Sequence, residues 1–305
     1  MSTVFSKYDS EEIGEIQFAT RSDFTDAYST WIRDKWTVEP VTLLACSLLS
    51  DGDPFIDLGA NIGAFCLPVA MYRNSPFLAI EALKDNVELL TAAIKRNDIA
   101  NTAVLNVAIM DEAGVVHIKG ASAYGTVNDA GEGVTIEAVS GDQVFSEHGF
   151  DNARLVKIDI EGAELKALIG MKQFLADKSR MYIFEANGAH SYDGGYMPSD
   201  LVKCFEALGH EIYMVVGRKL VPYSSDDIQP FGLINYLAIP SIPDSLDFGF
   251  RVLPLSEEEI ISGVIRTLTQ MKPGYRSFML MELEKAPSSI RCDERVIEAI
   301  HNDTD

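Results

Sequence analysis

Cysteine, positive charge and long apolar runs are all scarce in this sequence, and each shortage removes a class of protein. Four cysteines, at 46, 66, 204 and 292, lie too far apart for any Cys-x-x-Cys pair, which argues against both a zinc ribbon and a disulfide framework. They read as four reduced, buried thiols. Lysine and arginine number 25 against 46 aspartates and glutamates, a formal charge of −21, and no basic stripe interrupts the excess. Such a chain repels a phosphate backbone, so nucleic acid is not expected as a partner. The longest apolar runs, such as Ala64 to Met71, fall well short of the ~18–20 residues of a membrane span. The N-terminus carries Asp9, Glu11, Glu12 and Glu15 where a secretory signal would be basic and then apolar. A soluble, cytoplasmic protein is therefore expected. Internal repeats and low-complexity stretches are also missing.

What is present is enough apolar residue, 47% of a 305-residue chain, to bury a core without staples. Short apolar runs of strand length fall at Phe55–Leu58, Phe77–Ile80, Val104–Val107, Leu155–Ile158, Met181–Phe184, Ile212–Val216 and Ile234–Ile239. Helical stripes lie between them: Val87, Leu90 and Ile94 with a stop at Asn97, then Leu165, Leu168 and Ile169, then Leu201, Val202, Phe205 and Leu208 between Ser199 and Gly209. Strand alternating with helix implies an α/β fold with a largely parallel sheet covered on both faces. Ala103 to Lys119 and Val134 to Ala138 read as a small antiparallel insertion. The organisation expected is a helical flank over 1–50, a core domain over 51–240 and a helical extension over 241–305. In that extension Ser256 and Glu259 form a capping box before Ile260, Ile261, Val264 and Leu268.

The most informative segment runs from Pro54 to Phe65, from a buried strand through a glycine turn into a helix. Ligands of open α/β sheets bind at the carboxyl ends of strands beside such turns. Gly59 and Gly63 suit close approach of backbone to ligand. Asp57 can accept hydrogen bonds from an ammonium group, and Glu81 ends the next strand where an acid can bind both hydroxyls of a ribose. Two cofactors fit, a nicotinamide dinucleotide and S-adenosylmethionine. The dinucleotide fingerprint needs a glycine where this chain has Asn61, and an aspartate before the turn suits a cationic amino acid better than a diphosphate. S-adenosylmethionine is the better match.

Phe55-Ile-Asp-Leu-Gly-Ala-Asn-Ile-Gly63, Ala79-Ile-Glu81, Asn106-Val-Ala108 and above all Val156-Lys-Ile-Asp-Ile-Glu-Gly-Ala-Glu164 resemble the successive motifs of the FkbM-type S-adenosylmethionine-dependent methyltransferases. The resemblance covers roughly residues 38 to 240. It implies a class I methyltransferase, Rossmann-like sheet of about seven strands with the last antiparallel, and an O-methyltransferase acting on a hydroxyl of a sugar, glycan or polyketide-like small molecule. It carries cofactor binding to Asp57, Gly59, Ala60, Asn61, Gly63, Glu81, Ala108 and Asp159. Two positions depart from the family pattern: Ala82 stands where proline usually follows the ribose acid, and Ser140-Gly-Asp142 where Leu-Asp-Asp is usual.

Methyl transfer from a sulfonium is an in-line displacement, so the protein must mainly align the acceptor oxygen, remove its proton and exclude water. The candidates are Asp159 and Glu161 after the fourth strand, and Glu185, Asn187 and His190 after the fifth. Glu185 is the first choice for base or hydroxyl ligand, because a carboxylate ending a buried strand is costly without a partner. His190 is an alternative base. Glu164 reads as the start of the following helix, interacting with its positive end. Asp159, Glu185 and Asn187 are also the hard oxygen donors that select magnesium, although the correspondence is by strand position and not by motif, and the leading reading holds no metal. The loop from Asn187 to Met197 reads either as a glycine-hinged lid, with Tyr192 and Tyr196 over the acceptor, or as an ordinary surface loop. Trp31 and Trp36 are expected in the core, with the pocket wall as the second reading. Two further hypotheses stand beside the enzyme: a catalytically silent S-adenosylmethionine-binding partner or regulatory domain, and a nicotinamide oxidoreductase, which Asn61 disfavours.

Overall fold

A computed structural model describes residues 3–22, 27–119, 126–127, 131–270 and 273–301. The strands in chain order are β1 (Thr3–Ser10), β2 (Gly14–Arg21), β3 (Phe55–Leu58), β4 (Phe77–Ile80), β5 (Thr102–Leu105), β6 (Ala108–Met110), β7 (Gly114–Lys119), β8 (Thr126–Val127), β9 (Val134–Ser140), β10 (Leu155–Ile158), β11 (Met181–Asn187), β12 (Glu211–Val216), β13 (Lys219–Pro222), β14 (Leu233–Ile239) and β15 (Arg251–Val252). β3, β4, β10 and β11 are short and apolar, and helices follow each of them, so they pair in parallel as the pattern requires.

The main sheet runs β15-β13-β12-β14-β11-β10-β3-β4-β5. β14 inserts antiparallel between β11 and β12. The seven strands from β12 to β5 are the class I methyltransferase arrangement expected, and the short β13 and β15 extend its edge. Side chains alternate between two cores. Phe55, Phe77, Leu155 and Ile183 pack on one face. Ile56, Leu58, Val156, Ile158 and Phe184 pack on the other.

Three expectations are corrected. The N-terminal flank begins with the antiparallel hairpin β1–β2 and becomes helical only at Ala27–Lys35 and Pro40–Leu48. Its alternation places Ile16 and Phe18 inside the core, a period of two that the charged residues of β1 obscured. The insertion is a separate four-stranded sheet, β6-β9-β7-β8, in which β6 pairs parallel to β9 instead of turning back on β7. Ser199, expected as the cap before its helix, lies inside the helix Pro198–Leu208, whose cap position is Met197, with Asp200 accepting the Met197 N–H at 2.9 Å.

The capping box at Ser256 and Glu259 forms as expected and opens the helix Glu257–Gln270. That helix and those after it enclose a third apolar cluster around Val264, Phe278 and Val296. Cys46 and Cys66 are buried, Cys204 is half-buried and Cys292 is exposed, all as free thiols, so burial of all four does not hold. No described helix is long and apolar enough to cross a membrane.

Candidate active site

The parity that sends Phe55 and Leu155 into one core also sends Asp57 and Lys157 to that face. Asp57 is the register partner of Lys157, and Glu185 is the partner of Asn235 across the antiparallel β11–β14 pair. Polar groups thus replace apolar ones at the carboxyl ends of adjacent strands. They line a cavity of about 290 Å³ that also takes in Tyr28 and Glu39 from the N-terminal flank.

Of the residues singled out from the sequence, Asp57, Gly59, Ala60, Asn61, Glu81, Ala108, Asp159, Glu161 and Glu185 line this cavity. Gly63 and His190 do not line it. The Gly59 backbone is left-handed, and a Cβ there would stand 1.8 Å from the Asp159 carbonyl oxygen. A Cβ on Gly63 would meet Leu67 and Leu90 at 2.7 Å. A side chain at Gly59 would collide with backbone and one at Gly63 with core side chains, and Gly63 lies outside the cavity lining.

One end of the cavity is apolar, walled by Ile80, Leu83, Val107, Ile109, Met110 and Ile118. Glu81 stands at its edge, 8% exposed, accepting the Asn61 N–H at 2.9 Å and the Leu83 N–H at 2.8 Å. Burial pushes its carboxyl up to about 6 against the pull of those donors. Oε1 also accepts the Asn86 side-chain N–H at 3.4 Å, so Oε2, with the Asn61 N–H alone, is the oxygen that keeps a lone pair for a hydroxyl. Asn61 takes the positive φ that the turn demands, +49°, which asparagine tolerates better than most residues.

Asp57 is completely buried, and neither of its oxygens has a full hydrogen bond. Burial pushes its carboxyl up to about 6, with Lys157 opposing. Lys157 was read only as part of a motif, yet it is central here. Its ammonium donates to Asp159 at 2.7 Å and lies 5.6 Å from the centre of the Phe65 ring. Burial works against its charge, but Asp159 and Asp57 outweigh it and raise its pKa. A lysine inside the four-residue buried strand β10 was the available signal in the sequence.

The other end of the cavity is acidic. One carboxylate oxygen each from Asp159, Glu161 and Glu185 lies within 4.8 Å of the others. Burial, then Asp159 and Glu161, push the Glu185 carboxyl well above its ordinary range. Glu161 adopts a left-handed backbone, φ +52°, and accepts from or donates to His190 Nδ1 at 2.6 Å according to protonation. That hydrogen bond, opposed by partial burial, raises the His190 pKa. His190 is therefore a partner of Glu161 behind the cavity wall. Asn187 does not join the carboxylates. Its Oδ1 accepts the His190 N–H at 3.2 Å at the start of the short helix Gly188–Asp193. Glu161 takes the place that Asn187 was expected to hold among the oxygen donors.

The remaining expectations fall on either side of this wall. Glu164 accepts N–H bonds from Ile160 and Gly162 and the hydroxyl of buried Tyr196, so it closes the turn before its own helix. Tyr196 is thereby fixed away from any lid. The side chain of Tyr192 lies outside what is described. Trp36 packs in the core with Phe18 at 4.8 Å, and Trp31 supports the cavity residue Tyr28 from behind at 5.4 Å.

Residues 57–212 match the profile of the Methyltransferase FkbM domain, just over half of the chain. A search of the curated proteins finds no match. Among solved structures, the methyltransferase FkbM of Methylobacillus flagellatus KT is similar at 17% identity, with a TM-score of 0.43, over 62% of this chain and 44% of that one. The precorrin-6y C5,15-methyltransferase of Geobacter metallireducens GS-15 is similar at 13% identity, TM-score 0.41, over 77% of this chain and 98% of its own. The M. jannaschii TYW2 in complex with AdoMet gives 13% identity, TM-score 0.42, over 78% and 85%.

Proposed function

From the premise that this chain belongs to the FkbM methyltransferase domain family, we propose that it is an S-adenosylmethionine-dependent O-methyltransferase acting on a hydroxyl of a sugar, glycan or polyketide-like small molecule. The observation that carries the reading is the division of one cavity into an apolar slot ending at Glu81 and an acidic end at Asp159, Glu161 and Glu185. The residues present fit the cofactor. Glu81 suits a ribose hydroxyl, the apolar slot suits a flat purine, and Asp57, buried with unsatisfied oxygens, suits a cationic amino-acid end. Gly59, Ala60, Asn61, Ala108 and Asp159 complete the wall on that side.

When bound, S-adenosylmethionine supplies an electrophilic methyl group on a sulfonium. The chain's residues do the rest. Glu185 accepts the acceptor's hydroxyl proton as its oxygen attacks. The cofactor would give its methyl group to that oxygen and leave with the sulfur's electron pair, so the hydroxyl proton is what the chain itself has to take up. Burial and the neighbouring carboxylates raise the proton affinity of Glu185 and equally favour its protonated form, so its work as a base belongs to the pH range in which it is ionised. Asp159, tied to Lys157, and Glu161, tied to His190, are oriented by those partners and position the acceptor. The displacement needs no metal in this reading, although the three carboxylates are hard donors of the kind magnesium prefers.

Calorimetric titration of S-adenosylmethionine and, separately, NADH tests the cofactor, with the first repeated in magnesium and in chelator. Binding of S-adenosylmethionine alone, unchanged by chelator, is the expected result. Preference for NADH overturns the reading. A Glu185→Gln variant should keep cofactor affinity while methyl transfer falls by roughly 10²–10⁴-fold. Loss of cofactor affinity with unchanged turnover contradicts the role assigned to Glu185.

A further inference from the structure

The amino-acid end of S-adenosylmethionine carries two opposite charges on one carbon, and Asp57 answers only one of them. With the α-ammonium at Asp57, the α-carboxylate lies beside a like charge, where it needs hydrogen-bond donors. Backbone N–H groups at a glycine turn are a common source of such donors. Here they are spent within the protein. Gly59 and Ala60 donate to the Ile80 carbonyl at 2.9 and 3.1 Å, Asn61 donates to Glu81 at 2.9 Å, and Gly63 donates to the Ala60 carbonyl at 2.9 Å. The carboxylate must turn to side chains.

Apart from the carboxyls, the described lining side chains with an N–H or O–H are Tyr28, Asn61, Lys157 and Asn235. Asn235 is the partner of Glu185 across β11 and β14, and Asn61 is tied to Glu81 through its backbone. Lys157 is the register partner of Asp57 and gives one of its three N–H groups to Asp159. Tyr28 comes from the helix Ala27–Lys35 and packs, with Trp31, against the core that holds Phe55, Phe65 and Leu155. Strand parity turns Asp57 and Lys157 to that same face, whereas Ile80 and Ile109 of the apolar slot belong to the opposite core. Tyr28 therefore covers the Asp57 side of the cavity, its ring backed by Trp31 at 5.4 Å. Burial, and then the charges of Glu39, Asp159 and Asp57, push its hydroxyl well above the ordinary tyrosine range, so it keeps a proton to donate.

We infer that the Tyr28 hydroxyl, together with the Lys157 ammonium, binds the α-carboxylate of S-adenosylmethionine, so that the N-terminal flank completes a subsite which residues 57–212 leave open. The inference rests on the methyltransferase reading and adds to it a cofactor-binding residue outside the segment matched by the family. A phenol suits the place. It supplies a donor without the desolvation cost of a second buried cation.

The test titrates three probes into the full chain by calorimetry: S-adenosylmethionine, its decarboxylated form, which lacks only the α-carboxylate, and 5′-methylthioadenosine, which lacks the whole amino-acid end. Absence of S-adenosylmethionine binding to the parent defeats the methyltransferase reading itself. The acidic cavity favours the extra positive charge of the decarboxylated form, so the deciding quantity is the change that Tyr28→Phe makes to each affinity. This variant keeps the ring against Trp31 and removes only the hydroxyl. It should bind S-adenosylmethionine about tenfold more weakly, the scale of one charged hydrogen bond, and bind the other two probes within about twofold of the parent, at an unchanged thermal midpoint. Equal weakening for S-adenosylmethionine and its decarboxylated form overturns the inference, because the hydroxyl then does not see the carboxylate. Unchanged affinity for all three probes overturns it too. A variant that unfolds or loses 5′-methylthioadenosine marks Tyr28 as a packing residue and equally overturns the assignment.

Discussion

Replacing Lys157 by methionine isolates the electrostatics of the site, because the stem that reaches past Phe65 is kept and only the charge is removed. Lys157 is 7% exposed and stands between Asp159, at 2.7 Å, and the fully buried Asp57. Removing one partner of a buried ion pair costs about 3–5 kcal/mol, since the other charge is left uncompensated. The Asp159 side chain keeps 27% of its exposure, so water recovers part of that loss and the lower end, about 3 kcal/mol, is expected.

The pH dependence follows from Asp57. Its folded carboxyl titrates at about 6, above the ordinary aspartate value of about 3.9, so the folded state holds the extra proton between them. Stability therefore falls as pH rises through that window and is level above it. Without Lys157 the folded carboxyl moves higher still. Glu185 and His190, both raised in the parent, give the two proteins a shared gain on acidification, so the variant should regain more stability than the parent from about pH 8 toward 6. Urea unfolding at both pH values measures this. A loss under about 1 kcal/mol at pH 8, or one that is the same at pH 6, refutes the reasoning. Adding Asp57→Asn to Lys157→Met should restore part of the loss.

Other outcomes can be checked independently. Glu81→Ala should weaken S-adenosylmethionine binding by about 1–3 kcal/mol, read by calorimetry, and an unaltered dissociation constant removes the ribose role. Gly63→Val should lower stability by at least about 2 kcal/mol through collision with Leu67 and Leu90, visible in urea unfolding without any ligand; a stable variant that lost only cofactor affinity would restore a ligand-facing glycine. His190 should titrate above its ordinary value of about 6.5 in proton NMR and move down in Glu161→Gln, because the hydrogen bond to Glu161 holds its proton; an unmoved midpoint breaks that pairing.

The parts of the site that were legible in the sequence are those where local pattern and chemistry coincide. Asp57, Glu81, Asp159 and Glu185 end or follow short apolar strands, so each was placed by counting. Glu39, Tyr28 and Asn235 were not legible, because they reach the cavity only through tertiary packing of a flank and of a strand that returns antiparallel. Lys157 was quoted but given no role, since nothing local says that an opposing strand brings Asp57 beside it. The glycines were half legible. Their freedom was correctly required, but the neighbours that use the space at Gly63 come from the protein's own core. Asp142, the one residue of Ser140-Gly-Asp142 that keeps the family pattern, accepts the N–H groups of Gln173 and Phe174, a structural contact that spans 31 and 32 residues and leaves no local trace.

The antiparallel insertion of β14 bears on how the protein is made. Asp57, Glu81, Asp159 and Glu185 all lie within residues 57–212, but the strand that flanks Glu185 begins at Leu233. A nascent chain emerges N-terminal end first, so the wall bearing Asp57 and Glu81 is synthesised before the wall bearing Asn235. A fragment cut at residue 212 would leave β11 as an open edge with Glu185 facing water, the cavity walled on one side only.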